Sequence, residues 1–359
     1  VTLKILHVIT TIERGGAEKQ LLILARNQVQ LGENVSVYYL KGRPDLLQDF
    51  ETSGVKVFHS SKNFLFNLVS LSRVLRLNFD VVHAHLPRAE LQLALSTFFT
   101  YTRAILIASR HNSEAFFPKS PKFFSSWLSR LTLQKYSGVI FISTAVKQFV
   151  EASQEETKAT FSKVIYYGYD EKSKVNDLDS SKSALSNDSF LFVGRLTKQK
   201  NIPFLLNAFR QHLERYPYSK LDIYGSGELE KELQENTSDL SSNVFWRGKS
   251  ESIQKIMGSY KCLILPSFYE GFGLVLLEAM QNRLPILAAN SSAIPEVLGS
   301  EYPGLFNLDD QNSLVHLLDK VEDQAFRGSL VALQDERLKL FDPRTMSQNV
   351  QAFYMQFQS

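Results

Sequence analysis

Short runs rich in Val, Ile, Leu and Phe, apolar at successive positions, recur along this chain with longer amphipathic stretches between them. In the first half they are 3–10 (LKILHVIT), 34–40 (NVSVYYL), 55–60 (VKVFHS), 80–85 (DVVHAH), 104–110 (AILIASR), 138–143 (GVIFIS) and 163–168 (KVIYYG). A run that is apolar on both faces suits a strand covered by helices on both sides, as inside a parallel sheet. The helical spacing of 17–31 (AEKQLLILARNQVQL) and 147–153 (KQFVEAS) supplies covering layers. The series to residue 168 predicts a doubly wound α/β domain.

A polar stretch, 171–189, has no apolar periodicity and reads as a linker or surface loop. The alternation then restarts, with strands expected at 190–195, 220–225, 243–248, 261–266 and 284–289. Helices are expected at about 202–215, 228–236, 250–258, 273–281 and 311–321, and Pro343 opens a last one through 349–357. The expected organisation is two Rossmann-like domains: 1–168, with a closing helix at about 344–359 crossing back to it, and 169–343. In open α/β sheets ligands sit beyond the carboxyl ends of strands. Two such domains facing a deep cleft would place the chemistry on strand-to-helix loops from both.

Composition narrows the partners. The 359 residues carry a net charge of +3, which gives no overall field for nucleic acid. The charge is split: residues 1–167 hold 20 basic against 12 acidic side chains, and 168–359 hold 20 against 25. Different partners for the halves, or chance asymmetry of solvated surfaces, both fit. The single cysteine, Cys262, allows no intramolecular disulfide and no cysteine-based zinc site. No window approaches the ~18 apolar residues of a membrane span, and the first dozen residues lack a signal peptide's apolar core. A soluble cytoplasmic protein is the expectation.

Several strand-end loops carry chemistry. In TTIERGGAEK (10–19), Gly15 and Gly16 let backbone approach a ligand at a helix start, although Glu18 there also serves the helix dipole. His83, His85 and His111 fall at neighbouring strand ends, as functional groups or as satisfied structural histidines; their spacing is not that of helix-borne metal ligands. In VGRLTKQKN (193–201), Arg195 and Lys200 beside a helix start form a natural diphosphate site, the alternative being two solvated cations. YGSGELE (224–230) lacks the third glycine of a dinucleotide fingerprint. The richest segment is LPSFYEGFGLVLLEAM (265–280): Glu270 in the loop suits sugar hydroxyls, amides near 273–276 suit phosphate oxygens, and Glu278 suits the vicinal hydroxyls of a ribose.

These motifs resemble those of the retaining glycosyltransferases of family 4, which have the GT-B fold. The resemblance rests on Glu270-x7-Glu278 within EGFGLVLLEAM, on SSAIPEVLG (291–299), VGRLTKQKN, DVVHAH, the strand-end His111 and the IERGGAE loop. That loop is the GGAE variety of bacterial enzymes that build lipid-linked or surface oligosaccharides. The resemblance spans nearly the whole chain. It implies that Arg195 and Lys200 hold the donor diphosphate, and that Glu278 binds the ribose. Glu270 and the backbone of Gly271, Phe272, Gly273, Leu274 and Val275 would position sugar and phosphates. Gly16 would approach donor or acceptor, and His111 the transferred sugar. Gly248, Lys249 and Ser250 would hold the base. One departure is YYGYD (166–170), where Tyr167 replaces the usual Asn; it is expected to alter the hinge and touch no catalytic role.

The implied activity moves a sugar from a nucleoside-diphosphate sugar, UDP first and GDP or ADP open, to a hydroxyl acceptor. A polyprenyl-diphosphate-linked saccharide is the acceptor favoured. Retention is what the resemblance implies, with the leaving phosphate helping to deprotonate the acceptor. No Asp-x-Asp motif sits at a suitable strand end, so no metal and no cofactor are expected. The amphipathic 122–135 (KFFSSWLSRLTLQK) either packs in the core or rests on the inner face of an anionic membrane. Rival readings are a non-catalytic sugar-nucleotide-binding protein, and a GT-B phosphorylase or nucleotide-sugar epimerase.

Overall fold

A computed structural model describes residues 2–59, 63–111, 116, 120–155, 161–169, 188–250 and 252–358; of the linker expected at 171–189, residues 171–187 lie outside the described residues and Ser189 already opens a strand. The chain divides into two compact units, Val1–Gly168 with Phe341–Ser359, and Tyr169–Leu340.

In the first unit, β1 (Lys4–Ile9), β2 (Asn34–Tyr39), β3 (Lys56–His59), β4 (Val81–His85), β5 (Ile105–Arg110), β6 (Gly138–Phe141) and β7 (Phe161–Val164) form one parallel sheet, ordered β3-β2-β1-β4-β5-β6-β7. Every residue of β4 is buried, as an apolar run inside a two-sided sheet requires. The order reverses between β1 and β4, so the loops after these strands flank the crevice where such sheets bind ligands. The sheet is covered by α1 (Gly16–Gln30), α2 (Leu47–Thr52), α3 (Phe64–Leu75), α4 (Pro87–Ser96), α5 (Lys122–Leu133) and α6 (Thr144–Ala152).

The second unit repeats the plan. Strands β8 (Ser189–Val193), β9 (Lys220–Tyr224), β10 (Val244–Gly248), β11 (Cys262–Leu265), β12 (Ile286–Ala289) and β13 (Leu305–Phe306) are parallel in the order β10-β9-β8-β11-β12-β13. The switch point lies between β8 and β11. Helices α7 (Ile202–Leu213), α8 (Glu230–Glu235), α9 (Ile253–Ile256), α10 (Leu274–Gln281), α11 (Ile294–Leu298), α12 (Gln311–Lys320) and α13 (Gln324–Leu338) complete it.

The last helix, α14 (Pro343–Met355), belongs to the first unit. Pro343 occupies its first turn, where no N–H is needed, and the Asp342 carboxylate accepts the Thr345 amide at 2.7 Å. Its Met346, Val350, Phe353 and Tyr354 pack with Ile5, Leu24, Val81 and Ile107 in one core cluster. Each fully buried side chain of this size contributes roughly 1.5–3 kcal/mol. Two expectations are corrected. The strand sought at 163–168 runs over Phe161–Val164, since Phe161 is an exposed edge residue and Tyr166–Tyr169 lead out of the sheet. The 15-residue α13 was not anticipated, because among its positions only Leu330 and Gln334 are buried and no apolar stripe marks it.

Candidate functional site

In the second unit, the loops after β8 and β11 bring the predicted donor residues to the switch point. Lys200 ends a single 3-10 turn and Asn201 adopts a left-handed conformation (φ 47°) to start α7. That turn delivers the Lys200 ammonium to Glu270, Nζ to Oε1 at 2.5 Å. The same oxygen accepts the Ser267 hydroxyl at 2.6 Å, and both ends of the ion pair are buried. The Glu270 carbonyl accepts the Ser292 hydroxyl at 2.8 Å, tying the loop to the 291–299 segment. Arg195 is exposed and donates to Gln199 Oε1 at 3.3 Å, while the Gln199 amide donates to the Tyr269 carbonyl at 2.8 Å. Two sets of contacts, Arg195–Gln199–Tyr269 and Lys200–Glu270–Ser267, thus tie the same two loops together.

The backbone at 271–275 turns into α10 through Gly273, whose φ of +84° is costly for a residue with a side chain. Gly273 has no side chain to cap this helix; the Leu276 amide donates to the Gly273 carbonyl at 2.8 Å, and N–H groups at such a helix start suit an anion. Glu278, one turn in, accepts the Gln254 amide at 2.9 Å. Gly248, Lys249 and Ser250 follow β10; the Gly248 carbonyl accepts the Gly225 amide at 2.8 Å. Gly225 itself reflects packing, since a Cβ there would sit 1.8 Å from the Gly194 carbonyl oxygen.

In the first unit, Gly16 opens α1 after β1, and Glu18 in its first turn accepts the Thr11 hydroxyl at 2.5 Å. His85 and His111 stand at the ends of β4 and β5, joined Nδ1 to Nε2 at 3.1 Å. His85 Nε2 meets His7 Nδ1 at 3.0 Å, and His7 Nε2 meets Gln28 Oε1 at 2.7 Å. His111 Nδ1 is hydrogen-bonded to the Tyr167 hydroxyl. His83 forms a side branch between Tyr354 (2.6 Å) and Ser109 (2.7 Å). A cavity of about 30 Å³ adjoins these rings, lined by Gln20, His83, His85, Ser109, His111 and Tyr167 among others.

Burial keeps these rings neutral. It pushes His7 down to about 4 despite the Gln28 hydrogen bond, and His111 to about 3 with help from the Arg110 charge. His83 and His85 fall well below the usual range for the same reason, with repulsion from the other histidines added. His7, His83 and His85 have ligand atoms within 4.8 Å of one another, the spacing of a metal cage. All six of their ring nitrogens already have protein partners, which is the chemistry of a hydrogen-bond network.

The hydroxyl of Tyr167 corrects one expectation: this departure from the family pattern contacts His111 directly. His111 is described, whereas 112–114 after it, like Asp170, lie outside the described residues. Sequence reasoning missed Ser267, Gln199, Gln254, His7 and Gln28. Ser267, three residues before Glu270, was the most accessible of these from spacing. The His7–Gln28 contact joins a strand interior to a helix and leaves no local pattern.

Comparison with known proteins bears on both units. Residues 14–172 match the family model Glycosyltransferase Family 4, and residues 174–330 match Glycosyl transferases group 1. An uncharacterised glycosyltransferase of Methanocaldococcus jannaschii is 30% identical over 176 residues, 46% of this chain and 43% of that protein. A second one from that organism is 31% identical over 53% of its length, so the chain spans about half of the curated relatives it matches first. The Campylobacter jejuni GalNAc-alpha-(1->4)-GalNAc-alpha-(1->3)-diNAcBac-PP-undecaprenol alpha-1,4-N-acetyl-D-galactosaminyltransferase is 24% identical, with 95% of each chain covered. Among solved structures, Anabaena HepE in complex with UDP and glucose superposes with a TM-score of 0.83 at 20% identity, covering 99% of this chain and 100% of that one. Sucrose-phosphate synthase from Thermosynechococcus elongatus gives 0.79 at 16%, with 98% of each covered. With a family model on each unit and a full-length structural match, the chain belongs to glycosyltransferase family 4 and has the GT-B fold.

Proposed function

We propose that this chain transfers a sugar, with retention and without a metal ion, from a UDP-sugar to a hydroxyl of a lipid-linked or cell-surface saccharide. The carrying observation is the Lys200–Glu270 contact at the β8/β11 switch point, with Arg195 tied to the same pair of loops through Gln199 and the α10 start beside it. Breaking a sugar–phosphate bond develops negative charge on the departing diphosphate. Fixed cations and helix N–H groups stabilise that charge without reorganising. In this reading Arg195 and Lys200 face the diphosphate, Glu270 holds Lys200 while reaching the sugar, Glu278 takes the ribose, and 248–250 the base. His111 meets the transferred sugar, and the leaving phosphate deprotonates the acceptor. The donor choice draws on HepE, solved with UDP, and on an Escherichia coli relative named as a UDP-Gal:alpha-D-GlcNAc-diphosphoundecaprenol galactosyltransferase. The acceptor class draws on that relative and on the Campylobacter enzyme.

The reading includes contact with an anionic membrane through the first unit. Helix α5 is built inside out: Ser125, Ser126, Ser129 and Thr132 are buried while Phe123, Phe124, Trp127 and Leu131 are exposed. Leu65, Phe66 and Val69 of α3 and Phe98, Phe99 and Tyr101 after α4 are exposed too, and α4 packs against both α3 and α5. Exposed Arg73, Arg76, Arg103, Arg130 and Lys135 accompany them, and the described acids from 63 to 136 are only Asp80 and the buried Glu90. Apolar rings edged by cations fit an anionic lipid surface.

The test is a thermal-shift screen of UDP-, GDP- and ADP-sugars, followed by transfer to an undecaprenyl-diphosphate-linked saccharide with and without EDTA. A UDP-sugar should raise the melting temperature, and transfer should survive chelation and keep the anomeric configuration. Stabilisation with neither transfer nor donor hydrolysis would identify a non-catalytic binder instead. Loss on chelation, restored by Mg²⁺ or Mn²⁺, would overturn the metal-free assignment.

A further inference from the structure

A neutral imidazole has one N–H, so a ring that donates at one nitrogen must accept at the other. Gln28 presents its carbonyl oxygen to His7, at 2.7 Å from Nε2. His7 Nε2 therefore donates, and His7 Nδ1 accepts the proton-bearing Nε2 of His85 at 3.0 Å. His85 Nδ1 in turn accepts the N–H of His111 Nε2 at 3.1 Å, which leaves His111 Nδ1 to accept the Tyr167 hydroxyl. Every link runs one way, from Tyr167 to Gln28. Gln28 is buried in α1, and its Nε2 has no hydrogen-bond partner among the described residues. The Tyr354 hydroxyl is hydrogen-bonded to His83 Nδ1 at 2.6 Å.

We propose that Gln28 is a positioning residue that sets the tautomer of His111 through His7 and His85, fixing the proton on Nε2 and the lone pair on Nδ1. Resting on the reading that His111 meets the transferred sugar, this gives the site a polarity. With its N–H committed to His85, His111 can only accept. A sugar hydroxyl can replace the Tyr167 hydroxyl as donor to Nδ1, whereas a carbonyl or carboxylate oxygen cannot. The depressed basicity of all three rings supports the same arrangement, because a protonated ring would have no lone pair to pass along.

The experiment is long-range ¹H–¹⁵N correlation on the full chain labelled with ¹⁵N-histidine, at pH 7.5 and with no substrate. His111 should show a protonated Nε2 and an unprotonated Nδ1. Tyr167→Phe should leave that pattern unchanged, Gln28→Met should give mixed tautomers at His111, and Gln28→Glu, which offers only an acceptor, should restore it. Turnover of Gln28→Met should fall about tenfold, as when an outer hydrogen bond orienting a histidine is lost, with KM for the donor within twofold and rescue in Gln28→Glu. A protonated Nδ1 on His111 in the unmodified protein overturns the proposal, and so does a tautomer that follows Tyr167→Phe. If Gln28→Met does not fold, the spectra of the unmodified protein and of Tyr167→Phe still decide. Full transfer activity in His111→Ala would sink the functional reading while leaving the tautomer result standing.

Discussion

Glu270 Oε1 accepts from both Lys200 and Ser267, so one carboxylate oxygen ties the loop after β8 to the loop after β11. Losing one preorganised charge-stabilising donor costs roughly 10²–10³ in turnover. Arg195→Ala and Lys200→Ala should each show that loss in kcat, and near-normal turnover in both would remove the diphosphate assignment. The glutamates should separate in calorimetry with the free nucleoside diphosphate. Glu278→Ala should weaken it by the ~1.5–3 kcal/mol of a charged hydrogen bond, while Glu270→Ala, at the sugar end, should leave it nearly unchanged and lower transfer. Equal affinity in the two variants contradicts the division. Lys200, Glu270 and Glu278 were each legible in the sequence, because a strand end followed by glycines and a helix start is a local pattern. Their partners were not. Lys200 and Glu270 are 70 positions apart, and only the sheet order brings β8 beside β11.

Helix α5 shows how far element-level reading goes. Its amphipathic spacing was visible, but an apolar stripe normally faces the core, and here hydroxyls face inward. Ser129 donates to the Glu155 carbonyl at 3.0 Å and receives Arg110 at 2.8 Å, and Ser126 donates to the Ser153 carbonyl at 2.7 Å. The inner face of α5 therefore serves the buried Arg110, which also pairs with Glu90 at 3.0 Å. Nothing in residues 122–133 alone reveals that demand. Substituting Phe123→Ser together with Trp127→Ser should lower binding to anionic vesicles at least tenfold, each aromatic otherwise contributing roughly 1.5–3 kcal/mol on burial. Thermal stability should change little, since exposed positions usually carry within about 0.5 kcal/mol. Vesicle sedimentation reads the first and calorimetry the second. Equal binding to zwitterionic vesicles, or undiminished binding by the double variant, would remove α5 from the membrane assignment.

At the scale of the whole molecule, the buried titrating groups of the first unit set a pH dependence. His7, His83, His85 and His111 are held neutral, with His7 down to about 4 and His111 to about 3. The unfolded chain takes up their protons near pH 6.5, so stability is present above that value and lost as pH falls. Glu90, pushed up to about 7 by burial, and Glu155, raised for the same reason, act oppositely, losing stability as pH rises from 4.5. Four histidines outweigh two glutamates, so acidification between pH 6 and 5 lowers stability on balance. Urea titrations at pH 6.5 and 5.5 should show the midpoint falling on acidification, less steeply in His7→Asn and more steeply in Glu90→Gln. A flat profile would mean that the rings are not held neutral.

The return of α14 to the first unit also bears on how the protein is made. A Cβ added to Gly168 would lie 2.6 Å from Pro343 Cα, and the Gly168 amide donates to Met346 Sδ at 3.1 Å, so the two points where the chain leaves and re-enters that unit are neighbours. Residues 169–340 are in effect a cassette spliced into a domain whose outline closes without them. On the ribosome the order of birth and the order of completion are therefore inverted. The first-made unit waits, its floor under Ile5, Val81 and Ile107 uncovered, while the cassette is translated, on the order of 10–30 s at about 5–20 residues per second. The cassette can fold in that interval, and the older half finishes only when residues 341–358 emerge.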